Sequence, residues 1–392
     1  MSVGQTPARP ADMRSHNLAL VLRSVVQEPA SRAEVAASSG LTKAAVSSLV
    51  DDLIERRLLA EEPPAVTGRG RPPRQLRLHA QAPTAVGLEL NVDYVAAVRT
   101  NLAGQELAAH RIDRDMRLLP LRHIVRQLTN AWDAVTRPTA SGRVLGTGLA
   151  VAGIVDSSGT VLRAPNLPVL SGVNIVQEVV TALRHPEHDV TVDNEANLAA
   201  LAELHQPAAE QSFVYVTGEI GVGAGIVING ELFRGASGMA GELGHVPIER
   251  GGRQCGCGGR GCVEQYAGQE ALLTESGSPT LEALVGAVEA RRPRALSAVA
   301  AAGAALGTGL ASTLNIVDVP TVVLGGVYAR LFDAIAPAVR SELAVRVLAS
   351  NVRLPLVRAA STGADAAVRG AVSSVVQRTL ANDSSFVGTA RF

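Results

Sequence analysis

Cys255, Cys257 and Cys262, the only cysteines of the chain, fall within eight positions, and His245 precedes the first of them by ten residues. Three soft thiolates and one imidazole make a Cys3His donor set, the usual closed tetrahedral site of structural zinc. Gly256, Gly258, Gly259 and Gly261 let the backbone turn tightly enough for ligands so near in sequence to converge on one ion. An odd number of cysteines argues against a disulfide framework and leaves a redox pair or buried thiols as the other reading. Glu242 and Glu264 frame the cluster with carboxylates.

A second set of residues suits nucleic acid. Thr42, Lys43, Ala44, Ser47 and Ser48 place short polar or small side chains at the start of one helical segment, and small side chains let a helix approach base edges in the major groove. Arg69 and Arg71 lie in a stretch from Pro63 to His79 that holds four arginines and no acid. Guanidinium groups there suit the negative potential of a minor groove.

The elements that must position these residues can be read from periodicity. Leu18, Val21, Leu22 and Val25 recur at helical spacing, and the helix they define should end near Pro29. Ser31-Arg32-Ala33-Glu34 has the form of a capping box and opens a second helix that stops at Gly40. Thr42 caps a third, with Ala45, Val46, Leu49, Val50 and Leu53 as its buried stripe. Gln75-Leu76-Arg77-Leu78 alternates as a strand should. Together these predict a winged helix-turn-helix over residues 1–80, with a small interaction bundle and a solvated linker as the plainer alternatives.

A linker over 81–84 precedes an α/β region from 85 to 381, in which strands at Val86–Leu90, Tyr94–Val98, Val144–Val151, Val190–Val192, Phe213–Val216, Ala224–Ile228 and Thr321–Leu324 are separated by many helices. Such alternation predicts two lobes with a cleft between them. Trp132 belongs to an amphipathic helix and reads as packing. The apolar run from Ala295 to Val319 is rich in Ala and Gly and reads as a buried core helix, not a membrane span. The start of the chain has no basic, apolar and small-residue succession of a signal peptide, and zinc thiolates suit a reducing compartment, so a cytoplasmic location is expected. Net charge is zero, with 36 basic and 36 acidic residues, so the local arginine cluster is the informative charge signal. Residues 382–392 read as a mobile tail.

Further motifs join the cysteine cluster: Gly218-Glu219-Ile220-Gly221-Val222-Gly223, Gly241-Glu242-Leu243-Gly244-His245, Ala152-Gly153-Ile154-Val155-Asp156, Ala164-Pro165-Asn166-Leu167, Leu324-Gly325-Gly326 and Gly363-Ala364-Asp365. With them the chain resembles the ROK family of repressors and sugar kinases from about Ala85 to Leu380. The resemblance implies an actin-like, hexokinase-type (ribonuclease H-like) fold of two lobes. It also implies zinc on His245, Cys255, Cys257 and Cys262, and a sugar held by Gly153, Asn166, Asn194, Glu195, Glu242, His245 and Glu264. Homodimers or homotetramers are common in the family. One nitrogen of His245 would bind the metal while the other reaches a sugar hydroxyl.

Two departures bear on activity. Sugar kinases of the family carry Asn-Asp-Ala-Asn, whose aspartate takes the proton of the attacking hydroxyl; here Glu195 stands in its place, and one extra methylene displaces the carboxylate. The first phosphate loop, Asp-x-Gly-Gly-Thr in kinases, reads Glu89-Leu90-Asn91-Val92-Asp93, without the glycines that let amides approach phosphate. No enzymatic activity is expected. The expected function is a repressor that reads a pseudo-palindromic operator and leaves it on binding a monosaccharide. The longer Glu195 would fill the space of a missing exocyclic carbon, as in a pentose such as xylose. An active sugar kinase with an attached DNA-binding domain, or a regulator whose second domain only oligomerises, are the alternatives.

Overall fold

The structure, a computed structural model, describes residues 10–62, 74–137, 142–184, 188–206 and 209–381. Its first unit holds α1 (Pro10–Gln27), α2 (Arg32–Ser39) and α3 (Lys43–Glu55), followed by a hairpin of β1 (Leu59–Glu62) and β2 (Gln75–Leu78). The capping box is formed: the Ser31 amide donates to Glu34 Oε2 at 2.6 Å while the Glu34 amide donates to Ser31 Oγ at 3.3 Å. Gly40 ends α2 at φ 71°, a left-handed conformation that costs glycine little. Leu76 on β2 is fully buried with Leu18, Leu22, Val46, Leu49 and Leu53, so the hairpin is pinned to the helices by the alternation seen in its sequence.

The first lobe is built on a five-stranded sheet ordered β10-β6-β3-β4-β5. Its strands β3 (Thr84–Leu90), β4 (Tyr94–Asn101) and β5 (Glu106–Asp113) form an antiparallel meander, followed by α4 (Leu121–Thr136) and β6 (Val144–Val151). A small sheet of β7 (Ile154–Val155), β8 (Thr160–Arg163) and β9 (Val173–Asn174) leads into α5 (Ile175–Leu183), β10 (Asp189–Asn194) and α6 (Glu195–Leu204). Trp132 is packing, as its place on α4 implies: its ring Nε1 donates to Thr147 Oγ1 at 3.0 Å.

The second lobe repeats the plan. Strands β11 (Phe213–Gly218), β12 (Val222–Ile228) and β13 (Glu231–Leu232) precede α7 (Glu264–Ala267), α8 (Gln269–Ser276), α9 (Leu281–Glu289) and α10 (Pro293–Val317). Then follow β14 (Thr321–Gly325), α11 (Gly326–Arg330), α12 (Phe332–Arg346), β15 (Leu356–Ala359) and α13 (Ala366–Ala381). The sheet order is β13-β12-β11-β14-β15. By length and composition α10 could cross a membrane, but Val299, Leu306 and Leu310 are fully buried beside α12, so it is a core helix.

Two helices connect the parts. A shared core of Ala150, Leu198, Ala199, Phe213, Tyr215 and Ala371 links the sheets through α6 and α13. The opposite side of α13 enters the core of the first unit, where Val372, Val375, Val376 and Leu380 join Leu18, Val21 and Leu22. A third tie is ionic: buried Glu203 on α6 accepts from Arg358 at 2.5 Å and from the Ser361 and Thr362 amides and hydroxyls. Those donors hold its carboxyl below the usual range despite burial.

Candidate functional site

The cleft between the lobes carries one cavity of about 110 Å3, and all seven residues expected to hold a sugar line it. Gly153, Asn166, Asn194 and Glu195 come from the first lobe, and Glu242, His245 and Glu264 from the second. Asn194 also caps α6, its Oδ1 accepting from the Ala196 amide at 2.8 Å, while its Nδ2 donates to the Gly153 carbonyl at 3.1 Å. Glu264 opens α7 and points Oε2 at the Val222 amide, 3.3 Å away. A methyl group on Gly221 would lie 2.2 Å from that same oxygen, so Gly221 is glycine because the carboxylate needs its space.

Arg163 lines the same cavity and was not legible in any motif. From β8 of the first lobe it donates to the Cys257 carbonyl at 2.9 Å, fastening one lobe to the cysteine loop of the other.

The ligand atoms of His245, Cys255, Cys257 and Cys262 all lie within 4.8 Å of one another. Cys255 Sγ is 3.7 Å from His245 Nδ1, and Cys257 Sγ is 3.7 Å from Cys262 Sγ. Metal–sulfur bonds of roughly 2.3 Å in a tetrahedron need sulfurs about 3.8 Å apart. Donor chemistry and spacing therefore fit a metal site, and a disulfide is excluded at this separation. His245 turns Nδ1 to the sulfurs and leaves Nε2 3.9 Å from Glu242 Oε2, on the cavity side.

In the first unit, Lys43, Ala44 and Ser48 are exposed at the start of α3, together with Thr42, whose Oγ1 caps the helix by accepting from the Ala45 amide at 3.2 Å. Ser47 is half-buried, its carbonyl held by Arg32. Arg32 also meets Asp51 at 2.8 Å and Glu61 at 2.7 Å, tying α2, α3 and β1 together, a role invisible in its local sequence. Arg69 and Arg71 lie outside the described residues. Lys43 is the only lysine of the chain.

Residues 85–378 match the ROK family. The chain belongs to that family. It is 28% identical to the xylose repressor of Bacillus subtilis over 380 residues, which cover 93% of this chain and 96% of the repressor. The crystal structure of a ROK family transcriptional regulator, a homologue of the Escherichia coli MLC protein, superposes with a TM-score of 0.78 at 22% identity, covering 96% of this chain and 98% of that one. A ROK family glucokinase from Streptomyces griseus, in complex with glucose and AMPPNP, matches with a TM-score of 0.66 and 25% identity over 75% of this chain and 99% of its own. Likeness that extends through the N-terminal helices as well as the ROK region puts the chain with the transcriptional regulators of the family.

Where ROK kinases have their first phosphate loop, this ROK protein has buried acids. Glu89 Oε1 accepts from Tyr94 OH at 2.6 Å, and Asn91 Nδ2 donates across the lobes to Glu219 Oε2 at 2.8 Å. Burial, and then the nearby Glu219, push Glu89 up to about 8. Burial likewise raises Glu219, and raises Glu195 well above the carboxylate range. Among the described residues, Glu89 Oε2 and Glu195 Oε2 have no hydrogen-bond partner.

The remaining kinase-like glycines have packing reasons: a side chain on Gly218 would strike the Tyr328 ring, and one on Gly325 the Tyr215 hydroxyl.

A pH dependence follows. Glu89 is raised in the folded state, so its contribution to stability is whole below the unfolded value near 4.5 and is lost as pH rises towards 8. Glu89→Gln keeps the Tyr94 contact without a titrating group. Between pH 5 and 8 the wild type should lose on the order of 3 kcal/mol more than this variant in urea unfolding; parallel pH profiles would contradict the assignment.

Proposed function

We propose that the chain is a cytoplasmic, sugar-responsive transcriptional repressor without enzymatic activity, and that a dimer reads a pseudo-palindromic operator. The observation that carries this reading is a continuous connection. Helix α6 begins in the cavity at Glu195, packs on α13, and α13 shares a hydrophobic core with α1 of the helix-turn-helix unit. A ligand that draws the lobes together acts on Asn194 and Glu195 at one end of this connection, and DNA affinity changes at the other.

The cavity supplies the chemistry a sugar requires. Carboxyls, amides and an imidazole both donate to and accept from a ring of hydroxyls, and their fixed directions reject analogues that lack one. In this reading the Cys3His cluster holds structural zinc, and zinc keeps His245 and Glu242 at the cavity wall. Thr42, Lys43, Ala44, Ser47 and Ser48 enter the major groove, with Arg69 and Arg71 beside it in the minor groove.

Phosphoryl transfer is disfavoured by the geometry of the site. Glu195 stands where kinases of the family carry an aspartate, its extra methylene displaces the carboxylate, and burial raises it above the ordinary carboxylate value. Buried Glu89 and an Asn91 tied to Glu219 also offer an ATP phosphate no cradle of amides.

The effector we favour is a pentose, for which the longer Glu195 leaves the better fit, and the likeness to a xylose repressor agrees. Duplexes selected from random DNA by the purified protein should share a two-fold symmetric site, and Lys43 should be shielded from amine acylation on that site. Among monosaccharides, xylose should raise the melting temperature most and weaken binding to the selected duplex. Operator affinity that no sugar alters would remove the repressor reading, glucose binding tighter than xylose would remove the pentose, and sugar-dependent ATP turnover would restore the kinase.

A further inference from the structure

A second cavity, of about 550 Å3, lies where the N-terminal unit meets the two-lobed domain. It is enclosed by α1, by the end of β4 and the turn after it, by the C-terminal end of α6, and by α13. Small-molecule sites measure roughly 300–1,000 Å3, so the space suits a metabolite. Helix α6 touches both cavities: it begins at Glu195 in the interlobe cleft and ends here at His205 and Gln206.

The charge of the lining selects an anion. Among the described residues it holds Arg23 and Arg369 and no carboxylate. Glu106, outside the lining, already meets Arg369 at 2.6 Å. Arg23 has no ion-pair partner among the described residues and uses only Nε, on the Ala19 carbonyl at 3.3 Å, so its two outer nitrogens are left for a carboxylate or a phosphate. The C-terminal ends of α1 and α6 bring partial negative charge, which the full charge of a guanidinium outweighs.

An independent observation points to a hydroxylated ligand. Thr100 on β4 lines the cavity and is 2% exposed, yet its Oγ1 has no hydrogen-bond partner among the described residues. A buried hydroxyl left unmatched costs stability, and a ligand hydroxyl against this wall supplies the partner. Gln27 and Gln377 add exposed amides from α1 and α13 that both donate and accept. Leu102, Val372 and Val376 offer a buried apolar surface to the ligand's carbon atoms.

We propose that this cavity binds a small polyhydroxylated organic anion, a carboxylate or a phosphate ester, as an effector distinct from the sugar of the cleft. Held by Arg23 and seated on α6 and α13, the anion clamps the N-terminal unit to the helix that starts in the cleft. Its affinity depends on the spacing of those helices, so the anion and the sugar change each other's affinity by the same factor. An effect on DNA rests on the repressor reading; the binding of the anion does not.

Titration calorimetry of the full chain with gluconate, ribose 5-phosphate and inorganic phosphate tests it. Gluconate or ribose 5-phosphate should bind once per chain and about tenfold more tightly than inorganic phosphate, and the tighter of the two identifies the anionic group. Arg23→Gln should weaken that binding about tenfold, and Thr100→Val, which keeps the side chain's shape, about threefold without lowering the melting temperature. With xylose in excess the anion's affinity should settle at a new value about fivefold or more away, and the anion should shift xylose by the same factor. Failure of both organic anions to bind, or binding unchanged in both variants, overturns the site. A loss of anion affinity that grows without limit as xylose rises places both ligands in the cleft and overturns it too. If no sugar alters operator affinity while the two variants lose the anion, the repressor reading fails and the anion site stands.

Discussion

Replacing Cys262 with serine is expected to release the metal, lower the melting temperature by about 10 °C and abolish the sugar-induced shift. The magnitude follows from what the site holds. Cys262 is buried, and the loop it anchors, from 249 to 261, turns through Gly251, Gly258 and Gly261 at positive φ. Structural zinc contributes roughly 10 kcal/mol or more of binding free energy to small domains, and that energy is folding energy. Losing about half of it locally, in a domain this large, shifts melting by about 2 °C per kcal/mol.

The sugar response should fail with the fold of the loop because Glu242 caps the three-residue turn that ends in His245, and Arg163 rests on the carbonyl of Cys257. Elemental analysis should find one zinc per wild-type chain and none in the variant. A variant that keeps both its melting temperature and its xylose shift would contradict the structural role.

Gly370→Ala should cost about 3 kcal/mol and uncouple sugar from DNA, even though alanine is the better helix former by about 1 kcal/mol. Gly370 faces α6 at a close helix crossing: a methyl group there would stand 1.7 Å from the Leu198 carbonyl oxygen and 2.4 Å from its carbon. Backbone cannot swing aside as a side-chain end does, so α13 and α6 must part. Gly148, whose added methyl would lie 2.1 Å from the Ala371 carbonyl oxygen, holds the other face of α13 to β6 and leaves little room for that movement. Parting them loosens the connection between Glu195 and α1, so xylose should still bind while operator release weakens.

Gly286→Ala on α9 is the matched control. Nothing lies within 4 Å of the added methyl, so the same substitution should stabilise by about 0.5–1 kcal/mol. Equal effects at the two positions in urea unfolding would show that crowding at the crossing is not what glycine relieves.

Much of the site was legible in the chain because its signals are local. The four donors of the Cys3His cluster lie within eighteen residues, from His245 to Cys262, so residue type and spacing make the cluster legible. Ser31, Glu34, Gly40 and Thr42 set helix ends through contacts three residues apart or fewer, and the capping bonds form as the sequence implies. The alternation at Leu76 and Leu78 likewise needed only a strand's period of two.

Tertiary structure decided what depends on distant pairs. Arg163 meets Cys257, Asn91 meets Glu219, and Gly370 meets Leu198 across separations that no local pattern records. Gly221 and Gly218 stand in the sequence only as parts of a glycine motif, and the fold alone shows Glu264 and Tyr328 in the spaces they leave. Ionisation is the sharpest case. Glu89 and Glu195 are ordinary carboxylates in the sequence, and the upward shift of both comes from burial between two lobes assembled from remote segments. The chain by itself therefore set the Cys3His cluster, the helix caps and the identity of the cleft residues. Packing of the lobes set their burial, their reach and their connection to α1, because desolvation and close contact exist only once distant segments meet.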